Sequence, residues 1–281
     1  MAAGGNGWIS SVAFREFRKE HTALSRLYWT FRFTQAAAEG PCDAALGDLR
    51  SLPEALGLEQ KIKPSMFPVR ASDLASTITS AENTLMLLLI VMCCANLEEY
   101  LKLAAEVHVL AQGHHETGTA ATLTPVGQAV LAPIARSSTV PDMVKYAEAL
   151  FDQRLGVELE TLRRAYRVRC AMAHSGGIAT PKVVKAVPTL KLKVGAPITL
   201  DWPFLFETLK ATDDVCSKID QAAMSKLARS FEARRIALER LRETKPTTMD
   251  SARKRIATEY NIRVTKSDIR VVFSELGWPA K

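Results

Sequence analysis

The sequence has only short uninterrupted apolar runs, so we expect no membrane-spanning helix. The longest, Thr84 to Ala95, has twelve residues and is flanked by Glu82, Glu98 and Glu99, whereas a membrane-spanning helix needs about 20 apolar residues. The first thirty residues also lack the basic segment, apolar run and small-residue cleavage site of a secretory leader. We therefore expect a cytoplasmic protein without membrane contact, in which the apolar run forms a buried core helix.

Patterns of metal-ligating residues are equally sparse. The five cysteines, Cys42, Cys93, Cys94, Cys170 and Cys216, are odd in number and show no Cys-x-x-Cys spacing. Such a set is typical of reduced thiols in a cytosolic protein and provides no zinc-binding pattern. We expect neither a metal nor a cofactor.

Excess positive charge is absent from most of the chain. Residues 1–225 contain 23 basic and 23 acidic side chains, whereas the chain from Lys226 onward contains 14 basic and 7 acidic ones, so the net charge of +7 lies entirely in the tail. A basic segment beside a neutral body indicates a polyanionic partner, and a nucleic acid is a better candidate than a membrane. The alternative is that the charges only form a solvated helix face, which has the same composition. We place a domain boundary between 1–225 and 226–281.

Apolar periodicity predicts a mainly α body, a helical bundle with a small β-hairpin. The proline-rich residues 39–70 predict a long connection with one short helical turn. The alternation of Leu190, Leu192 and Val194 with Ile198 and Leu200 around Gly195 predicts the hairpin. Helices are predicted at 11–35, 72–112, 125–135, 141–152, 157–174 and 203–242.

The end of the chain repeats a helix-turn-helix-like pattern. Thr247 with Asp250, and Thr265 with Asp268, have capping-box spacing, with Asp in place of Glu, and Gly277 is a C-terminal stop. A module of about 30 residues has too small a hydrophobic core to fold stably on its own, so we expect it to dock on the body or on a partner.

Basic residues on or near these two predicted helices are candidates for DNA or RNA contacts. The alternative is that apolar residues dock the module against the body or another protein, while the charges only keep it soluble. The candidates are Arg253, Lys254, Arg255, Arg263, Lys266 and Arg270.

The stretch RRAYRVRCAMAHSGGIAT, residues 163–180, holds Arg169 five positions before His174. A guanidinium is always charged and binds phosphate oxygens, while histidine exchanges protons near neutral pH. The pair is sufficient for metal-free RNA cleavage, in which histidine moves the proton of the ribose 2'-hydroxyl or 5'-oxygen and arginine stabilises charge on the phosphate. An arginine and a histidine that only bind the last helix carbonyls and dipole would have the same spacing.

Five helical residues correspond to about 7.5 Å of rise and roughly 140° of rotation, so the two side chains do not share one helix face. One subunit would therefore make a poor site. Two copies of the helix packed across a two-fold axis could place two arginines and two histidines around one phosphate.

Arg169-Cys-Ala-Met-Ala-His174 resembles the Arg-x4-His signature of the HEPN superfamily, and the following Ser175-Gly-Gly-Ile is similar to the continuation common in its RiboL-PSP branch. NLEEYLK at 96–102 and KVGAPITLDW at 193–202 resemble that branch's acidic, aromatic helix and its short hairpin. The similarity covers residues 10–225. One departure is Cys170, where the family usually has a polar residue such as Asn or His.

The resemblance implies a helical homodimer acting as a metal-independent endoribonuclease, as a toxin or antiviral defence effector, with an antitoxin or sensor as a possible partner. Arg169 and His174 would be catalytic, and Glu98 or Glu99 would support one of them, with Ser175 as a further supporting candidate. Tyr166, one turn before Arg169, is a candidate for stacking on a base or for packing in the core. The alternatives are a catalytically silent RNA- or nucleotide-binding domain and a DNA-binding regulatory or interaction protein.

Overall fold

The computed structural model of the protein describes residues 10–44, 50–116, 119–224, 226–244, 248–260 and 264–279. These residues are predominantly helical, which confirms the predicted mainly α class. A two-residue strand β1 (His115–Glu116) pairs antiparallel with β2 (Thr119–Leu123). The helices are α1 (Val12–Ala44), α2 (Leu52–Ala55), α3 (Leu74–Ala111), α4 (Pro125–Ala135), α5 (Val140–Phe151), α6 (Val157–Ser175), α7 (Pro181–Ala186), α8 (Trp202–Ala223), α9 (Lys226–Thr244), α10 (Met249–Tyr260) and α11 (Lys266–Glu275).

Helix positions largely follow the sequence periodicity, but α7 (Pro181–Ala186) was not predicted and two predicted helices have different bounds. The first helix, α1, continues through Pro41 to Ala44, so the predicted connection begins later than expected. The helix predicted over 203–242 is interrupted at Met224 although no proline or glycine is there. Met224 is buried against Ala111 and Ala228, and its carbonyl accepts a hydrogen bond from Arg229 Nε (2.8 Å), so tertiary packing ends α8.

The chain divides into two compact units, each assembled from separate stretches. The terminal unit comprises residues 1–19, 95–162 and 211–281, and the middle unit comprises 20–94 and 163–210. The division falls inside α1, α3, α6 and α8, whereas the boundary predicted from charge falls between α8 and α9.

The core of the middle unit joins the first half of α3 to the second half of α6. On α6, Ala165, Val168 and Ala171 recur at intervals of three residues and form its buried stripe, as expected for an amphipathic helix. They pack in one cluster with Leu89 and Ile90 of α3, which are fully buried. Because this stripe of α6 is buried, the opposite face of the helix is the one exposed to solvent.

Among the described helices, only α3 is long and apolar enough to cross a membrane by length and composition. Core helices of soluble proteins have the same two properties. Leu89, Ile90, Leu97 and Leu101 of α3 have no exposed surface in the folded chain. Leu88 and Met92 of the same apolar run are exposed, so the run predicted as a buried core helix is buried on only part of its surface.

The hairpin predicted over residues 190–200 is wrong. Pro188–Leu190 forms a 3-10 turn, and the following residues pair with the chain after α6 through one isolated bridge, Ile178 to Pro197. Pro188 and Pro197 have no N–H to donate to a ladder, and Gly195 adopts a φ of +82°. The apolar alternation therefore reflects packing onto the core, with Ile198 fully buried, instead of self-pairing.

Two buried carboxylates hold the start of α1 within the terminal unit. Asp220 of α8 accepts hydrogen bonds from the Ser11 backbone N–H (3.0 Å) and the Ser11 hydroxyl, and Glu232 of α9 accepts from the Val12 N–H (3.0 Å). These bonds satisfy amide groups that have no partner within the helix. Burial raises the pKa of Asp220 to about 6 and the pKa of Glu232 to about 7, with Arg15 opposing both shifts.

We predict that Glu232→Gln flattens the pH dependence of stability. A carboxyl whose pKa is raised by folding binds more protons in the native chain than in the unfolded chain between about pH 4 and pH 7, so stability falls as pH rises through that window. The variant should gain about 1–3 kcal/mol in unfolding free energy at pH 8 relative to wild type, with little gain at pH 4. Denaturant melts across pH test this, with Glu239→Gln, an exposed residue of α9, as control.

An unchanged pH slope in Glu232→Gln, or an equal change in Glu239→Gln, would contradict the buried-carboxylate explanation.

Candidate functional site

The solvent face of α6 in the middle unit is basic. Arg163 and Arg167 are exposed opposite the buried stripe, and His174 is exposed in the last turn. Arg169 is half-buried at the edge of this face. Because neither Arg169 nor His174 lies in the apolar core, both are available to an external ligand.

Tyr166 orients Arg169 from one helical turn earlier. The guanidinium carbon of Arg169 lies 5.6 Å from the centroid of the half-buried Tyr166 ring, a cation–π arrangement. Such a contact contributes about 0.5–1 kcal/mol at exposed sites and leaves the guanidinium N–H groups able to donate. The i, i+3 spacing of the two residues was the available signal for this contact, which we did not predict from the sequence.

Two successive glycines follow Ser175, the last residue of α6, which is itself the neighbour of the candidate histidine. Gly176 and Gly177 have φ values of +58° and +78°, a region that other residues rarely adopt. The Gly177 N–H donates to the Ala171 carbonyl (3.2 Å), and the Ile178 N–H donates to the Ser175 carbonyl (3.0 Å). This C-cap leaves His174 exposed in the last turn of the helix.

Segment 195–200 anchors the chain that leaves α6. The Ile198 N–H donates to the Gly177 carbonyl (2.7 Å). Asn83 of α3 also binds this segment. Its Nδ2 donates to the Ile198 carbonyl (2.7 Å), and its Oδ1 accepts from the Leu200 N–H (2.8 Å). No pattern in the sequence marks Asn83, because its partners lie more than a hundred positions away.

The acidic residues proposed to support the pair lie in the part of α3 that belongs to the terminal unit. Glu98 is half-buried and accepts a hydrogen bond from Lys102 Nζ (2.8 Å), one turn along its own helix, and Glu99 is exposed. Support of Arg169 or His174 by either carboxylate stays a prediction.

Basic candidates in the tail differ in their surroundings. Arg253 is half-buried and donates to the Val264 carbonyl (3.2 Å) and to Asp250 (3.2 Å), so part of its guanidinium serves the fold. Arg263 lies outside the described residues. Four candidates are exposed: Lys254, Arg255, Lys266 and Arg270.

No group of three or more metal-ligating side chains occurs in the part of the chain that the structure describes. Comparisons with protein-family models, curated proteins and solved structures find no match to the chain.

We predict that Asn83→Ala loosens the chain that follows His174. The variant leaves the Ile198 carbonyl and the Leu200 N–H without a partner, and each buried unpaired group costs about 1–3 kcal/mol. Thermal unfolding should shift down by several degrees, and amide exchange at Ile198 and Leu200 should accelerate. Thr79→Ala, on the exposed surface of the same helix, is the control. Unchanged exchange at both amides would contradict the anchoring role of Asn83.

Proposed function

We propose that the protein is a metal-independent endoribonuclease of the HEPN type, serving as a toxin or antiviral defence effector. The observation that carries the proposal is the end of α6, where His174 is exposed beside a glycine cap and Arg169 is positioned by Tyr166. In the described part of the chain, the His174 ring has no hydrogen-bond partner and Arg169 forms no ion pair. The two residues are therefore not committed to structural contacts that would explain their presence.

The chemistry needs only these two side-chain types and the RNA itself. One histidine takes the proton of the ribose 2'-hydroxyl, the 2'-oxygen attacks phosphorus, and the bond to the 5'-oxygen breaks as that oxygen receives a proton. Arginine stabilises the additional negative charge on the phosphate oxygens. The products are a 2',3'-cyclic phosphate and a free 5'-hydroxyl, and DNA is not a substrate because it lacks the attacking hydroxyl.

A second copy of the chain would complete the site. The rotation of roughly 140° between Arg169 and His174 on one helix separates their side chains, so the opposite member of each pair must come from elsewhere. The middle unit also exposes large apolar side chains suited to burial in a dimer, as monomers seldom expose many together. These are Leu27, Trp29, Phe33, Leu88, Met92 and Phe206.

A catalytically silent RNA- or nucleotide-binding domain is the second candidate. It is favoured by Cys170, a half-buried thiol at the position after Arg169 where the family that α6 resembles usually has a polar group. Binding without turnover by purified protein would support this alternative.

We expect His174→Ala and Arg169→Ala each to lower RNA cleavage in excess EDTA by about 100-fold to 10,000-fold, because general acid–base catalysis and charge stabilisation each contribute on that scale. Matched controls are His114→Ala and Arg136→Ala, which remove a histidine and an exposed arginine outside α6. Gel analysis with end-group mapping detects the products. Full activity of His174→Ala, or activity that requires an added metal, would overturn the proposal.

A mixing experiment tests the composite site. Neither Arg169→Ala nor His174→Ala chains contain both residues, but a heterodimer of the two keeps one arginine and one histidine across the interface. Co-refolding the inactive variants should therefore restore part of the wild-type activity, whereas a site within one chain would stay inactive. Light scattering should show a dimer at micromolar concentration, and an active monomer would contradict the composite geometry.

A further inference from the structure

The last three helices form a small, well-packed module within the terminal unit. Its core combines residues of α9, α10 and α11 in one buried cluster, and the Trp278 ring packs edge-on against Phe273 with centroids 5.4 Å apart. Five residues, 261–265, separate α10 from α11. The cluster includes Ile236, Leu241, Ala252, Ile256, Val264, Ile269, Val272 and Phe273.

Asp268 fixes the start of α11 against α9. Its carboxylate accepts hydrogen bonds from Ser230 Oγ (2.5 Å) and Arg234 Nε (2.9 Å) of α9 and from Thr265 Oγ1 (2.6 Å), while Thr265 caps the Asp268 N–H (3.1 Å). These interactions lower the pKa of Asp268 against the opposing effect of burial. The confirmed capping box therefore also sets the orientation of α11.

The opposite face of α11 is polar, basic and exposed. Lys266, Ser267, Arg270 and Ser274 are exposed and recur at helical intervals, while Ile269, Val272 and Phe273 point into the core. Two of the four carry positive charge, and in the described part of the chain Arg270 has no ion-pair partner. The side chains nearest the helix N-terminus are those that a helix entering a groove brings to base edges first.

A depression of about 640 Å³ beside the start of α11 adds a second basic surface. Arg253, Lys254 and Lys266 line it, together with one carboxylate, Asp250, which pairs with Arg253 (3.2 Å) and lies 3.9 Å from Lys266. Three cations around one carboxylate leave a net positive surface that suits a backbone phosphate.

The described side chains of the module offer no apolar anchor for a protein partner. Among residues 228–242, 248–258 and 264–279, whose side chains the structure describes, no large apolar side chain is exposed, whereas the exposed large apolar side chains elsewhere all lie at or before Phe206. Protein interfaces are centred on buried aromatic and apolar anchors. A basic face without such anchors fits a polyanion.

We propose that the C-terminal module binds duplex DNA, with α11 in the major groove. Arg270 and Ser267 face base edges, and Lys254 and Lys266 contact phosphates. The major groove of B-form DNA is about 12 Å wide and admits an α-helix, whereas the deep, narrow major groove of A-form RNA does not. This inference goes beyond the ribonuclease proposal and is independent of it, since none of these residues belongs to α6.

The test is fluorescence anisotropy with the full-length His174→Ala chain, so that RNA substrates survive, and 25-base-pair DNA and RNA duplexes of matched mixed sequence across a salt series. We expect DNA to bind more tightly than RNA. Lys254→Ala and Arg270→Ala should each lower the slope of log affinity against log salt by up to about 0.9 where a phosphate contact is lost. Arg136→Ala, which removes one exposed charge far from α11 in the sequence, should leave the slope unchanged.

Selection from a randomised duplex pool separates base contacts from phosphate contacts. Wild-type protein should enrich a short motif, and Arg270→Ala should lose selectivity at one or two of its positions. Equal affinity for duplex RNA, salt slopes unaltered by Lys254→Ala and Arg270→Ala, or no DNA binding by a protein with normal circular dichroism would overturn the proposal. These results concern binding alone, so they leave the cleavage experiments unaffected.

Discussion

The termination of α6 is the constraint on which the candidate site depends. The helix ends at Ser175, one residue after His174, because Gly176 and Gly177 adopt positive φ and turn the backbone away from the helix axis. Segment 195–200 then holds the departing chain through backbone hydrogen bonds, and Asn83 holds that segment to α3. His174 is therefore exposed at the end of a helix that these contacts hold in place, and not on a mobile loop.

Periodicity predicted most of the helices because burial of one apolar stripe per helix is a local property of the sequence. Its failures occurred where distant contacts decide the backbone. The segment around Gly195 alternates like a hairpin, yet it pairs with the chain beyond α6. The break after α8 lies at Met224, which packs against Ala111 of α3. Similarly, the residue types of the Arg169–His174 pair were visible in the sequence, whereas the Asn83 anchor depended on contacts across the folded chain.

Charge counting alone could not separate structural from surface cations in the tail. Arg234 and Arg253 both contribute to the basic excess, yet each donates to groups that hold the module together, Asp268 and the Val264 carbonyl. Lys254 and Arg270 carry the same charge but project from the surface. The exposed cations, rather than the total, determine the field that an approaching polyanion meets.

The two proposed surfaces make different demands on the fold. Cleavage of RNA without a metal requires a few groups held at a fixed geometry around one phosphate, and the glycine cap, the Tyr166 ring and the Asn83 anchor each restrict the motion of α6 or of a side chain on it. Duplex binding requires an exposed helix on a rigid support, which the Asp268 network supplies by joining α11 to α9. Because the groups that carry out each task lie in separate compact units, a change at one surface need not alter the contacts that support the other.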